Sequence, residues 1–248
     1  MAGKGGTIAF GGTADPGASS SLSAQAGGTV DFSATQGASG NGQVTTGGIS
    51  GAGNFVLGGN TLNTGGSNAS TDVSGVISGN GGVNKTGTGT LTLAGNNTYT
   101  GGTTIGNGTL QIGNGGTTGS VAGNVTDNGT LVFNRSDTNL FVPNIIRGAG
   151  SLSNAGPGTV TLSGASAFTG PVTIGRGTLR AFSSTALGTV SSPLVVSNGA
   201  TFDFTNNVNL GAKAITASGA GVGGNGAIVN NGGNSGFVAA NFAQLTIT

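Results

Sequence analysis

The chain has 248 residues, of which 55 are Gly, and its seven basic and six acidic side chains leave a formal net charge of +1. Glu, His, Cys and Trp are absent, which excludes disulfides and thiolate metal sites. The basic residues form no cluster that could follow a phosphate backbone, so nucleic acid is not an expected partner.

Taken in chain order, MAGKGGTIAF lacks the apolar core of a signal peptide, and no apolar run reaches the ~18 residues of a membrane span. Met1 to Lys4 reads as either a cytosolic start or, in preference, an added start on a piece of a longer precursor. The first strand word, Gly-Thr-apolar-any-apolar, is GTIAF at Gly6, and GTVDF follows at Gly28. Between them TADPGASSSLSAQA, residues 13–26, reads as a longer loop leaving the main path. A partial repeat, ISGAGNFVLGG, begins at Ile49. The word then returns as GTLTL at Gly89, GTLQI at Gly108, GTLVF at Gly129 and GTVTL at Gly158, with the near copies GTLRAF at Gly177 and ATFDF at Ala200. Residues 183–193, SSTALGTVSSP, read as a second loop. The last stretch, Phe237 to Thr248, is apolar and strand-like, without charge or Pro.

These words are not independent. Ile146 to Leu179 laid on Ile77 to Leu110 without a gap is identical at 17 of 34 positions, and the strong repeats extend over 77–116 and 146–185. From Gly89 onward the starts are 19, 21, 29 and 19 residues apart. A return of about 20 to 29 residues is one coil of a solenoid. In each word alternate side chains face one interior, so Leu91 with Leu93 and Leu110 with Ile112 point inward and Thr points out. Gly-Asn, Asn-Gly and Gly-Gly supply the positive-φ corners. A sandwich or barrel also uses short strands but does not require an ungapped 69-residue repeat. The fold expected is therefore all-β, a parallel β-solenoid of roughly ten coils, about 50 Å long, with residues 1–248 forming a single domain. Leu91, Leu93, Ile105, Leu110 and Ile112, with Val160, Leu162, Ile174 and Leu179, are expected in its apolar columns.

Gly79 to Leu110, GNGGVNKTGTGTLTLAGNNTYTGGTTIGNGTL, resembles the autotransporter-associated β-strand repeat of type V secreted bacterial proteins. Gly148 to Leu179 follows the same pattern but departs at Asn154, where the pattern has Lys, and at Ala165, Ser166 and Phe168, where it has Asn-Asn and Tyr. The resemblance is strong over about a third of the chain. It implies a right-handed parallel β-helix, a passenger exported across the outer membrane through a C-terminal barrel and exposed on the bacterial surface. The absence of such a barrel before Thr248 suggests a passenger fragment. Adhesins, autoaggregation factors and display stalks all share this repeat.

Chemistry that could compete with that reading is thin. A polysaccharide-acting enzyme needs clustered carboxylates. Asp127 and Asp137 are the nearest pair in sequence, while alternation points Asp31 and Asp203 outward as solvated strand residues. NNTYTGGTT offers amides and hydroxyls to a sugar, but corner packing or Asn stacking between coils accounts for it better, and Phe168 at the place of Tyr99 shows that the hydroxyl is dispensable there. GAGVGGNG at Gly219 lacks the Lys-Ser or Lys-Thr of a phosphate loop. No stretch repeats an Asp after glycines as a calcium β-roll does. Lys4, Lys85, Lys213 and Arg135 are scattered, and Arg147, Arg176 and Arg180 of the second repeat could at most make one small positive patch. No catalytic, cofactor or metal residue is assigned. The expected function is that of a non-enzymatic adhesin or stalk touching host-cell, matrix or neighbouring-cell molecules. A self-assembling fibre or surface-layer module, joined end to end through Phe237 to Thr248, is the alternative, and an enzyme on polysaccharide the remote one.

Overall fold

Each Gly-Thr-apolar-any-apolar word from Gly89 onward forms a four-residue strand in the computed structural model, as in Thr90–Leu93, Thr109–Ile112, Thr130–Phe133, Thr159–Leu162 and Thr178–Ala181. The structure describes residues 1–205, 208–232 and 244–247. Strands alternate between half-covered Thr and fully covered Leu, Val or Ile, as TLTL and TLQI show. The only helical element among the described residues is one 3₁₀ turn, Val222–Gly224. The chain divides into two compact units, Met1–Asn114 with Thr118–Gly129, and Gly115–Thr117 with Thr130–Thr248.

In the first unit, Thr7–Gly12, Thr29–Thr35, Asn54–Val56 and Ile77–Ser78 pair in succession. A second sheet runs through Gly17–Ser23, Gln43–Ser50, Thr61–Thr64, Val83–Lys85, Thr103–Ile105 and Val125–Asp127. A third holds Thr71–Val73, Thr90–Leu93 and Thr109–Ile112. Every one of these pairings is parallel, and each strand's partner lies one coil away in sequence, as Leu91 opposite Leu110 and Leu93 opposite Ile112. Such one-coil offsets in parallel register define a β-solenoid.

The second unit repeats the scheme. Thr130–Phe133, Ser151–Asn154, Val172–Ile174, Leu194–Val196, Ala214–Ala217 and Gln244–Ile247 form one parallel series. Leu140–Val142, Thr159–Leu162, Thr178–Ala181, Thr201–Phe204 and Ile228–Val229 form another. Of the Phe237 to Thr248 segment, only Gln244–Ile247 lies within the described residues; the rest of that expectation lies outside them.

All nine expected core residues are buried. In the first unit Leu62, Val83, Thr103 and Val125 stand in one inward column. In the second, Val160, Leu179, Phe202 and Ile228 stand in another. Burying each fully covered Leu, Val or Phe of these columns contributes about 1.5–3 kcal/mol. Corners approach so closely that some positions exclude a side chain. Gly53, Gly75 and Gly95 occupy successive coils, and a Cβ on Gly75 would collide with the Gly53 carbonyl oxygen, as one on Gly95 would with that of Gly75.

Two loop expectations need correction. Within residues 13–26 the structure has a strand, Gly17–Ser23, parallel to Gln43–Ser50. Its Ala-Ser-Ser-Ser run lacks apolar alternation because most of it is exposed, and Asp15 anchors its start by accepting the Gly17 and Thr45 N–H groups at 2.9 and 3.1 Å. Residues 183–193 do form turns, yet they stay close to the coil. The buried Lys213 ammonium donates to the carbonyls of Leu187, Thr189 and Ser192 at 3.0, 2.6 and 2.7 Å and ties the loop down.

Candidate functional site

The polar side chains of this chain divide into those that close the coil and those that face out. Lys85 belongs to the first group. It is 1% exposed, follows Thr64 in an inward column, and donates to the carbonyls of Thr86, Gly87 and Asn107 at 2.6, 2.9 and 3.3 Å. Burial lowers its pKa from 10.5 and pushes that of Lys213 down to about 8. The corner asparagines also serve the backbone: Asn97 accepts the Ile77 N–H at 2.8 Å and donates to Ser120 at 2.7 Å. Stacked amides do occur, but on a strand face, where Asn84 donates to Asn63 and Asn63 to Gln43. Tyr99 is fully buried, with its hydroxyl 2.6 Å from Thr103 Oγ1, and burial raises its pKa to about 12.

The carboxylates do not assemble. Asp127 lies in the first unit, where it is 1% exposed and accepts the Gly129 N–H, while Asp137 lies in the second, bound to Arg135 at 2.8 Å. Asp31 accepts from Ser33 at the surface. Among the described residues no three His, Cys, Asp or Glu side chains converge as metal ligands. The GAGVGGNG run folds into the 3₁₀ turn, and a Cβ on its Gly219 would strike Asn198 Oδ1.

Asp203 is the correction with most consequence. Alternation does place it on the outer face of Thr201–Phe204, but it is 0% exposed and not solvated. Arg180, opposite it on the neighbouring strand, donates Nε–H to Asp203 Oδ2 at 2.9 Å, and the Asn231 backbone N–H donates to Oδ1 at 3.1 Å. Arg180 is therefore half of an ion pair and not part of a patch with Arg147 and Arg176, both of which are exposed.

Around this pair lies a groove of about 390 Å³ on the outer face of the second unit. Thr159, Thr178 and Thr201 stand in register along one side. Asn225, Asn231, Val222 and Val229 also line it, Val229 in register with Asp203. Thr201 Oγ1 holds the rim by donating to Gly226 and accepting from the Val222 N–H at 2.8 Å. On the same face Phe141 pairs in register with Thr161, which in turn pairs with Arg180. Phe182, two residues past Arg180, is outward by the same alternation, and its N–H continues the ladder to Leu162. The two rings meet edge to face, centroids 6.5 Å apart, and are 54% and 47% exposed. Thr161 between them is nearly covered and donates its hydroxyl to Asn139 Oδ1 at 2.7 Å.

By fold this is a parallel β-solenoid whose duplicated coil is closed from inside by Lys85 in one copy and Asn154 in the other. Residues 83–112 and 154–181 match the family model described as the passenger-associated-transport-repeat. Over 55 residues the chain is 58% identical to "Adhesin BmaC autotransporter" of Brucella suis biovar 1 (strain 1330). That match covers 22% of this chain and only 2% of the Brucella protein. No solved structure matches. Among the described residues no helix is long and apolar enough to cross a membrane.

Proposed function

We propose that this chain is a non-enzymatic segment of a secreted passenger, exposed at a bacterial surface, and that it makes adhesive contacts to molecules of host cells, matrix or neighbouring cells. Its kinship with part of a protein named an adhesin supports the class of activity. The observation that carries the reading is the outer face of the second unit, where two exposed aromatic rings share the strand face of Arg180, which lines a polar groove. Exposed aromatics beside satisfied polar groups are the composition of a recognition surface. The strands Thr90–Leu93 and Thr109–Ile112 present Thr and Gln outward, which serve the fold without offering apolar purchase.

The test is adherence. Beads coated with the chain should bind cultured cells or matrix-coated wells, and a Phe141→Ser/Phe182→Ser variant that melts like the parent should bind several-fold less. Beads that bind neither, from a chain that instead grows into polymers on raising its concentration, would replace adhesion with the self-assembly reading.

A further inference from the structure

The geometry points to a carbohydrate site on the outer face of the second unit: we propose that the groove between Arg180, Asp203 and Asn231, with Phe182 and Phe141 beside it, binds a neutral hexose-containing glycan. This deepens the adhesive reading and rests on it.

Three features select this class of ligand. The groove has a small-ligand volume, about 390 Å³ in a range of about 300–1,000 Å³ for such sites. Its polar groups are the kinds that read hydroxyls, both donors and acceptors, held in place before any ligand arrives. Arg180 gives only its Nε–H to Asp203, so among the described residues its two terminal amino groups have no partner, and its side chain is 29% exposed. Thr159 and Thr178 add half-exposed hydroxyls in register, and Asn225 adds an exposed amide.

The second feature is charge. The Arg180 guanidinium is balanced by Asp203 at 2.9 Å, so the groove is polar but carries no net field toward an anionic polymer. Nucleic acid or a highly sulfated chain would need the opposite arrangement. The third is the aromatic pair. Phe182 sits about 7 Å along the strand from Arg180, the spacing of two residues on one face. A ring that is half exposed presents its negative π-face to the polarised C–H groups on one side of a pyranose, while the sugar's hydroxyls at the edge reach Arg180. A peptide fits less well. Thr178–Ala181 is paired on both sides, leaving no strand edge to extend, and the rings form an open shelf instead of a pocket for a side chain.

The test uses the whole chain on an array of immobilised neutral oligosaccharides of glucose, galactose and mannose, followed by saturation-transfer NMR with the best binder. Binding is expected to fall at least tenfold in Phe182→Ala and in Arg180→Gln, and to be unchanged in Gln111→Ala, which changes the outward face of the other unit. Melting curves show whether each variant is folded. Should Arg180→Gln fail to fold through loss of the Asp203 pair, Phe182→Ala and Phe141→Ala, both at exposed rings, decide the matter. Saturation transfer concentrated on protons of one ring face supports the site. No binding to any neutral glycan, or binding that ignores both phenylalanines, overturns it. Adhesion that survives periodate oxidation of the cell surface, with protein ligands retained in a Phe182-dependent way, also overturns the glycan proposal while leaving the adhesive reading intact. Loss of adhesion altogether would instead remove the reading beneath it.

Discussion

Lys85 and Asn154 stand 69 residues apart at the same place in the two copies of the repeat, and both donate to the corner carbonyl of the following coil: Lys85 to Asn107, Asn154 to Arg176 at 2.9 Å. The same correspondence holds further along the repeat. Asn97 accepts the N–H of Ile77, and Ser166, its counterpart, accepts the N–H of Ile146. It holds again in the core, where the hydrogen-bonded pair Tyr99 and Thr103 of the first copy becomes the buried apolar pair Phe168 and Val172 of the second. The two copies have therefore kept the backbone groups that need a partner and exchanged the side chains that supply it. They differ in one cost: among the described residues the buried Asn154 Oδ1 has no hydrogen-bond partner, whereas the Lys85 ammonium has three acceptors.

The largest test of this equivalence is a charge in the core. Leu93 and Leu162 hold the same place in the two copies and are 0% and 1% exposed. Leu93→Asp and Leu162→Asp should each cost several kcal/mol through an unpaired buried carboxylate, read as a large drop in melting temperature. A variant of either that melts like the parent would show that the inward assignment is wrong in that copy. Next in size, Lys85→Met strips the donor from three carbonyls and should cost about 1–3 kcal/mol by chemical denaturation. Asn154→Lys, which installs the first copy's solution in the second, should hold or raise the melting point; a clear loss would mean the two corners differ in shape as well as in residue.

The core pair offers a smaller and sharper comparison. Tyr99→Phe should destabilise by about 1 kcal/mol, because Thr103 loses its hydroxyl partner. Adding Thr103→Val recreates the second copy's pair and should recover part of that loss, a coupling of about 0.5–3 kcal/mol in a double-mutant cycle. Recovery will be incomplete, since the Ala122 backbone also bonds the tyrosine hydroxyl. Strict additivity would sever the link between the two exchanges.

The smallest effect is in pH. Burial lowers Lys85 below its unfolded value of 10.5, so the unfolded chain holds that proton more firmly and stability should rise with pH up to about 10.5. Lys213, at about 8, adds the same trend from about pH 8 upward. Lys85→Asn makes the first copy resemble the second, and the slope of stability against pH should become shallower by the Lys85 share alone. An unchanged slope below pH 10.5 would mean that burial does not lower the Lys85 pKa.

The inward residues were legible because the solenoid writes its core in period-two words with Gly-Thr starts, so Leu91, Leu110, Val160 and Leu179 could be placed without coordinates. Gly17–Ser23 was not, because an exposed strand of Ser and Ala carries no alternation, and only its pairing with Gln43–Ser50 makes it one. In the sequence Lys85 and Lys213 read only as scattered charges, for a related reason. What buries them is a set of carbonyls from different coils that converge only once the chain has closed. The candidate face left a fainter mark. GTLRAF and ATFDF fill the free outward position of the word with Arg180 and Asp203, and the two strands pair in that register. Phe141 carried no signal, since its contact with Phe182 spans two coils.

The column of Gly53, Gly75 and Gly95 sets how such a gene can change. A point mutation there adds a methyl or more where the preceding coil's carbonyl already stands, so drift at these codons is nearly closed. Duplication or deletion of a whole coil is a different matter, because each coil brings its own glycine and meets only the coil before and after it. Inheritance in this molecule therefore moves most freely in steps of about one turn, and a lineage can alter its reach by recombination between like repeats without touching the residues by which one coil fits the next.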